Sequence, residues 1–221
     1  MSYTLYIGNK NYSTWSLRAW ALLKVIGIPF REQCLALYQP DTSARIREVS
    51  PSRRVPCLHD GDTVVWDSLA IAEYLAERHP GIWPRDALAR AWARSAAAEM
   101  HSGFARLRDE LSMDVRLRRP RTPSPAAAAD IARVLELWAE GRARFGRGGE
   151  FLCGAFSAVD AFYCPVAFRF QTYGVALDAC AAGYARDLLA LPALQEWAAA
   201  AARESERIPG FDPPELSVQQ Q

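Results

Sequence analysis

Histidine is scarce in this chain, and its cysteines never form close pairs. The three histidines are dispersed, and Cys34, Cys57, Cys153, Cys164 and Cys180 contain no C-x-x-C pair. Such spacing excludes the compact ligand sets of zinc, and no metal is expected. Each cysteine sits in an apolar stretch, as a buried free thiol does, which fits a reducing cytoplasm. No apolar run approaches the ~20 residues needed to cross a bilayer. The chain starts with a strand-like run in place of a charged segment followed by a long apolar one. A dominant charge is missing too: 26 Lys and Arg face 25 Asp and Glu, for a net charge of +1. That balance gives no general attraction to nucleic acid or to an anionic membrane. Arg116, Arg118, Arg119 and Arg121 cluster beside Pro120, Pro123 and Pro125. Without interleaved aromatics they read as a solvated inter-helix loop, not a phosphate patch.

What the chain does have is apolar content, half of its 221 residues, enough for one large core or two small ones. Residues 3–8 are β-branched or aromatic and end in glycine, as a strand does. From Ser13 apolar residues recur at helical spacing until Gly27, with Ser13 or Thr14 a natural N-cap and Gly27 a natural stop. Residues 29–37 alternate again and predict a second strand, parallel to the first because a helix crosses between them. Residues 41–49 are a short helix candidate. Residues 55–58 and 63–66 predict two short strands around a tight turn at 59–62, where Asp60-Gly61 is a hairpin signal. Asp67-Ser68 then caps a helix that runs to about Arg78. The order βαβα followed by ββα is a mixed sheet with helices packed on it.

From about residue 86 no strand signal survives. Trp92, Ala96, Met100, Phe104, Leu107 and Leu111 predict one long helix over 87–115. Ser124-Pro125 opens another, and further helices are predicted near 157–172, 183–190 and 192–207. The expected units are residues 1–80, residues 86–210 and a Pro- and Gln-rich, loosely ordered tail at 211–221.

Three positions are suited to chemistry. Pro56 at the start of a strand cannot donate to the ladder; it marks either an edge strand or a cis bond that frees the backbone of Val55 for a peptide ligand. Asp67-Ser68 at a helix N-terminus is either a plain cap or a seat for a free amino acid end, the N–H groups taking its carboxylate and the acid its ammonium. Ser13 at another helix N-terminus is either a cap or a hydroxyl placed to stabilise a thiolate. Tyr12, Thr14 and Ser16 are rivals for that last role.

Taken together, Ser13…Gly27, Arg53-Arg54-Val55-Pro56-Cys57-Leu58 and Asp67-Ser68-x-Ala-Ile-x-Glu-Tyr-Leu resemble the N-terminal domain of glutathione transferases. Gly154 to Asp160 resembles that family's C-terminal capping motif, with Asp160 returning a bond to Ser157. Tyr12-Ser13-Thr14-Trp15-Ser16-Leu17-Arg18 is similar to the motif of a bacterial, serine-type, zeta-like subgroup. The resemblance covers roughly residues 3–207. It implies a thioredoxin-like N-terminal domain (βαβαββα) followed by an all-helical C-terminal domain, hence α/β plus all-α. It also implies glutathione as co-substrate without a metal, a homodimer, and a detoxification role. Ser13 would then activate the glutathione thiol. Val55 would pair with the cysteinyl part, Asp67 and Ser68 would hold the γ-glutamyl end, and Arg54 would meet the glycine carboxylate.

The pocket for a small electrophile would lie between the domains, drawing on Trp15, Met100, Phe104 and Arg108. Met100 and Leu107 fit a bundle core as well, and His101 reads as solvent- or interface-facing. Arg108, if it points into the cleft, suits an anionic co-substrate. The resemblance leaves three activities open: glutathione transfer, zeta-like cis-trans isomerisation of the maleylacetoacetate type, and glutathione or ligand binding without catalysis. A structural or regulatory protein reusing the fold is a further reading.

Overall fold

A computed structural model describes residues 3–206 and residue 208; the expected tail at 211–221 lies outside the described residues. β1 (Tyr3–Ile7) alternates buried and half-buried side chains. α1 (Thr14–Ile26) follows, and its residues from Ser16 to Leu23 are all buried, because one face meets the sheet and the other a helix from the second half of the chain. It stops at Gly27, whose φ of 79° is a left-handed conformation open to glycine. β2 (Phe30–Cys34) lies parallel to β1, Tyr3 opposite Phe30 and Ile7 opposite Cys34. α2 (Thr42–Val49) leads on to β3 (Cys57–Asp60) and β4 (Thr63–Trp66), and the sheet order is β2-β1-β3-β4. β3 runs antiparallel to β1, with Leu5 opposite Leu58.

The strand expected at 55–58 begins later, at Cys57, since Pro56 has no N–H to give the ladder. It extends to Asp60, which leaves Gly61-Asp62 as a two-residue loop with Gly61 at φ 59°. The bond between Val55 and Pro56 is cis. α3 (Ser68–Ala76) closes the first half.

The second half is helical: α4 (Ala87–Ser102), α5 (Ala105–Glu110), α6 (Pro125–Phe145), α7 (Ala158–Tyr173), α8 (Ala179–Ala190) and α9 (Pro192–Arg203). The single helix expected over 87–115 is thus two helices and a loop. Gly103 and Phe104 break it, Phe104 standing at φ 60°. Both sides of the break are capped. Asp130 on α6 accepts from the Leu107 N–H at 3.0 Å, and the Arg108 guanidinium turns back to donate to the Met100 and His101 carbonyls at the end of α4. Apolar periodicity runs through the break unaltered, so the stripe alone conceals it.

α7 is the axis of the molecule, with every residue but Gln171 buried, packed on α1, α4 and α8. Its N-terminus carries the expected capping box: the Ser157 N–H donates to Asp160 Oδ2 at 2.9 Å. The cysteines divide otherwise than expected. Cys57 and Cys164 are buried and Cys153 is half-buried, but Cys34 and Cys180 are exposed; all five are free. Of the arginine cluster, Arg116 is partly buried, tied to the Tyr12 hydroxyl at 2.9 Å and the Glu204 carbonyl at 2.6 Å, so that part of the loop is a structural tie. No helix among the described residues is long and apolar enough to cross a membrane.

Candidate active site

Two helix N-termini and one strand entry converge where the sheet meets the helical half. The turn after β1 carries Ser13 to the N-cap of α1, 7% exposed. The first-turn N–H groups of a helix have no acceptor within it, so a partial positive charge gathers there. The Ser13 hydroxyl does not cap the helix; it donates to Ser16 Oγ at 2.7 Å, and Ser16 Oγ also accepts from the Gly8 N–H at 3.0 Å. Of the four hydroxyls in this stretch, Tyr12, Ser13 and Thr14 line a cavity of about 510 Å³, while Ser16 is fully buried behind them. Tyr12 already accepts from Arg116.

The same cavity is walled by Tyr38, Gln39, Arg53, Arg54, Val55, Arg108 and Arg169. A second cavity, of about 340 Å³, adjoins it and shares Trp15, Arg54 and Val55. There Asp67, Ser68 and His101 stand together. Asp67 caps α3, accepting from the Leu69 N–H at 2.8 Å, while Ser68 Oγ is buried and has no hydrogen-bond partner. His101 Nε2 lies 3.3 Å from Asp67 Oδ2. Burial lowers the His101 pKa, opposed by the Asp67 charge, which favours the neutral imidazole. Of the two placements expected for His101, solvent or interface, the structure has it on the cleft wall, edge-on to Trp15 at 5.1 Å.

The residues expected in the co-substrate pocket separate into two pairs. Trp15 and Arg108 line the 510 Å³ cavity. Met100 is fully buried and Phe104 is 7% exposed; neither wall of the cleft contains them. Met100 and Leu107 are core, and Phe104 packs at the break that aims Arg108.

Sequence reasoning missed Arg18 and Arg169. Both are lone cations on helix faces that are otherwise buried, and that oddity was the available signal. Arg18 stacks on Trp15 with its guanidinium carbon 4.2 Å from the ring centroid, and its Nε and Nη1 lack partners. Arg169 donates from Nε to the Leu111 carbonyl at 2.6 Å and reaches the cavity. Burial, and then the neighbouring Arg108, push the Arg169 pKa down to about 9. Burial also lowers Arg108. The cleft is thus cationic, with poorly hydrated guanidinium groups.

Backbone strain gathers here as well. Among the described residues, the non-glycine ones at left-handed φ are Tyr38, Arg53, Asp67 and Phe104. Three of them wall the cleft and the fourth sets Arg108, the pattern of a site whose surroundings override local preference. A larger cavity, of about 690 Å³, lies at the linker against Trp83, Arg85, Asp86, Arg144, Phe145 and Phe156, and its walls include none of Ser13, Val55, Asp67 and Ser68.

A family model described as "Glutathione S-transferase, N-terminal domain" matches residues 12–78. Residues 12–78 are thus similar to the N-terminal domain of glutathione transferases. The chain as a whole has the glutathione transferase fold: a Burkholderia glutathione transferase homolog, solved with bound glutathione, superposes with a TM-score of 0.70 at 24% identity, over 92% of this chain and 100% of that one. A probable maleylacetoacetate isomerase of Caenorhabditis elegans is 29% identical over 102 residues, 45% of this chain and 47% of that protein. A stringent starvation protein A homolog of Haemophilus ducreyi is 28% identical over 152 residues, 67% of this chain and 66% of that protein. The chain therefore spans about half to two thirds of the length of these curated relatives. The glutathione transferase fold explains why the cleft lies between a thioredoxin-like half and a helical half.

Proposed function

We propose that this protein is a glutathione transferase-like enzyme that ionises the glutathione thiol and directs it at a small electrophile. The carrying observation is the convergence of Ser13, Val55, Asp67 and Ser68 on two adjoining cavities. The orphaned Ser68 hydroxyl and the Asp67 carboxylate, at the start of α3, fit an α-amino acid end, the γ-glutamyl group. Val55, common to both cavities, offers its backbone to the cysteinyl part, and Arg54 its charge to the glycine carboxylate. Glutathione supplies the sulfur nucleophile. Ser13 turns its hydroxyl from Ser16 to the sulfur, and the start of α1 adds a field that favours the anion.

One charge-assisted hydrogen bond contributes about 1.5–3 kcal/mol, or roughly one to two pKa units on the thiol. Retention on immobilised glutathione tests the site, and failure to bind sinks the reading. With glutathione bound, thiolate absorbance near neutral pH should fall in Ser13→Ala by that shift. An unchanged value would transfer the role to Thr14 or Tyr12.

The guanidinium groups of Arg108 and Arg169 beside Ser13 favour an anionic, carboxylate-bearing electrophile. That in turn supports the second reading, a cis-trans isomerase of the maleylacetoacetate type. A cytoplasmic homodimer completes the proposal. Trp66 on the outer strand is 45% exposed, a large apolar side chain suited to a subunit contact, and sedimentation of the protein would show a dimer.

A further inference from the structure

The turn that carries Ser13 is held from a great distance along the chain. Its inner side is local: the N–H groups of Tyr12 and Ser13 donate to the Asn9 carbonyl at 3.2 and 2.9 Å. Its outer side rests on Glu204, just beyond α9. Glu204 Oε1 accepts from the Lys10 N–H at 2.6 Å and Oε2 from the Asn11 N–H at 2.9 Å. The Glu204 carbonyl takes a bond from Arg116, whose other nitrogen holds the Tyr12 hydroxyl. Trp197 on α9 donates from Nε1 to the Lys10 carbonyl at 2.8 Å.

A carboxylate can accept two adjacent N–H groups at once, and its charge strengthens both bonds. A glutamine presents one oxygen and one NH₂ group, so it cannot give each N–H its own oxygen as the carboxylate does. The clamp thus sets the path of Lys10 and Asn11, the residues immediately before the thiol-activating segment.

We infer that Glu204 is a positioning residue for Ser13: by clamping the Lys10 and Asn11 amides it holds the Ser13 hydroxyl where it meets the glutathione sulfur. This rests on the role given to Ser13 above. Loss of the clamp slackens the turn and weakens the hydroxyl's bond to the thiolate, so the bound thiol becomes less acidic. A through-space effect has the opposite sign, because removing a negative charge makes a nearby thiol more acidic. The direction of the shift therefore separates positioning from simple electrostatics.

The test is a pH titration of thiolate absorbance with glutathione bound to wild type, Glu204→Gln and Glu204→Ala. It is run beside calorimetric binding of S-methylglutathione, which has no ionisable thiol, and thermal unfolding. The expected result for Glu204→Gln is a thiol pKa raised by roughly half a unit to one unit, about three- to tenfold less thiolate at a pH well below it. S-methylglutathione should bind within about twofold of wild type, since it has no thiol whose ionisation the clamp could alter. Should Glu204→Ala unfold, Glu204→Gln, of equal size, carries the test. Glu196→Gln on α9, which breaks an exposed pair with Lys24, should leave the thiol unchanged. A thiol pKa that stays put or falls in Glu204→Gln overturns the inference, as does S-methylglutathione binding lost in step with stability. If wild type fails to bind S-methylglutathione, the glutathione reading falls and takes this inference with it. A wild type that binds and ionises while Glu204→Gln matches it removes the inference alone.

Discussion

Replacing Asp160 by alanine should unfold this protein more readily than any single loss of apolar contact at the surface. The side chain is fully buried at the third position of α7. Its Oδ1 accepts from the Leu152 N–H at 3.0 Å and the Tyr184 hydroxyl at 3.0 Å, and its Oδ2 from the Ser157 N–H at 2.9 Å. A buried donor left without an acceptor costs about 1–3 kcal/mol. With four such donors, the Ser157 hydroxyl at 3.3 Å from Oδ2 among them, near the lower end of that range, and some relief from removing a desolvated carboxylate, the net cost is about 3–5 kcal/mol. For a chain of this length each kcal/mol moves Tm by about 2–4 °C, so calorimetry at pH 7 should find a drop of roughly 6–20 °C.

Asp160→Asn keeps one acceptor and should lose less. The pH dependence gives a second reading of the same group. Burial raises the Asp160 pKa from 3.8 to about 6, against the opposing hydrogen bonds. Between those values the folded state holds a proton that the unfolded chain has released, so stability falls as pH rises through the window. Urea titrations should therefore show the advantage of wild type over Asp160→Asn shrinking from about pH 4 to about pH 6. A loss below about 1 kcal/mol in Asp160→Ala, or an advantage that grows with pH, would refute this account of α7.

Other consequences are simpler to state. Gly183 lies inside α8 with open space where an added methyl would sit, the nearest atom being Arg186 Nη2 at 3.7 Å; Gly183→Ala should stabilise by roughly 0.5–1 kcal/mol in urea unfolding. Gly149→Ala should do the reverse, since its Cβ would collide with the Gly154 carbonyl oxygen, and a cost of about 1–3 kcal/mol is expected. Arg108→Ala should raise KM for a carboxylate-bearing electrophile roughly tenfold or more, the loss of one charged hydrogen bond, while a neutral electrophile stays within about threefold. Equal effects on both would return Arg108 to its role as a cap on α4.

Much of the first half was legible because its signals are local. Gly27 ends α1 where the periodicity stops, and Thr63 to Trp66 form the strand expected after the Asp60-Gly61 turn. Pro56 leaves two readings, and only the folded chain distinguishes a cis bond from an edge strand. In the helical half, local signals mislead. The spacing of Trp92, Met100 and Leu107 is a property of one face, and Phe104 keeps that spacing through a break the pattern does not register. The same spacing cannot tell core from cleft, so Met100 and Phe104 look no different from Arg108 in the sequence. Arg169 is hidden for the opposite reason: a cation inside an apolar run has meaning only once its neighbours close around it. Glu204 has no local signal, since its partners are 193 and 194 residues earlier.

That separation has a consequence for how the protein is made. A ribosome delivers the first half of the sheet and Ser13 long before α9, and N-terminal units generally fold first. The β1–α1 turn can then acquire its strands and its helix early while the contacts from Trp197, Glu204 and Arg116 are still to come. On this view a nascent chain passes through a stage in which the thioredoxin-like half is folded but chemically idle. On the proposed function, competence arrives in one late step, when the final helix docks.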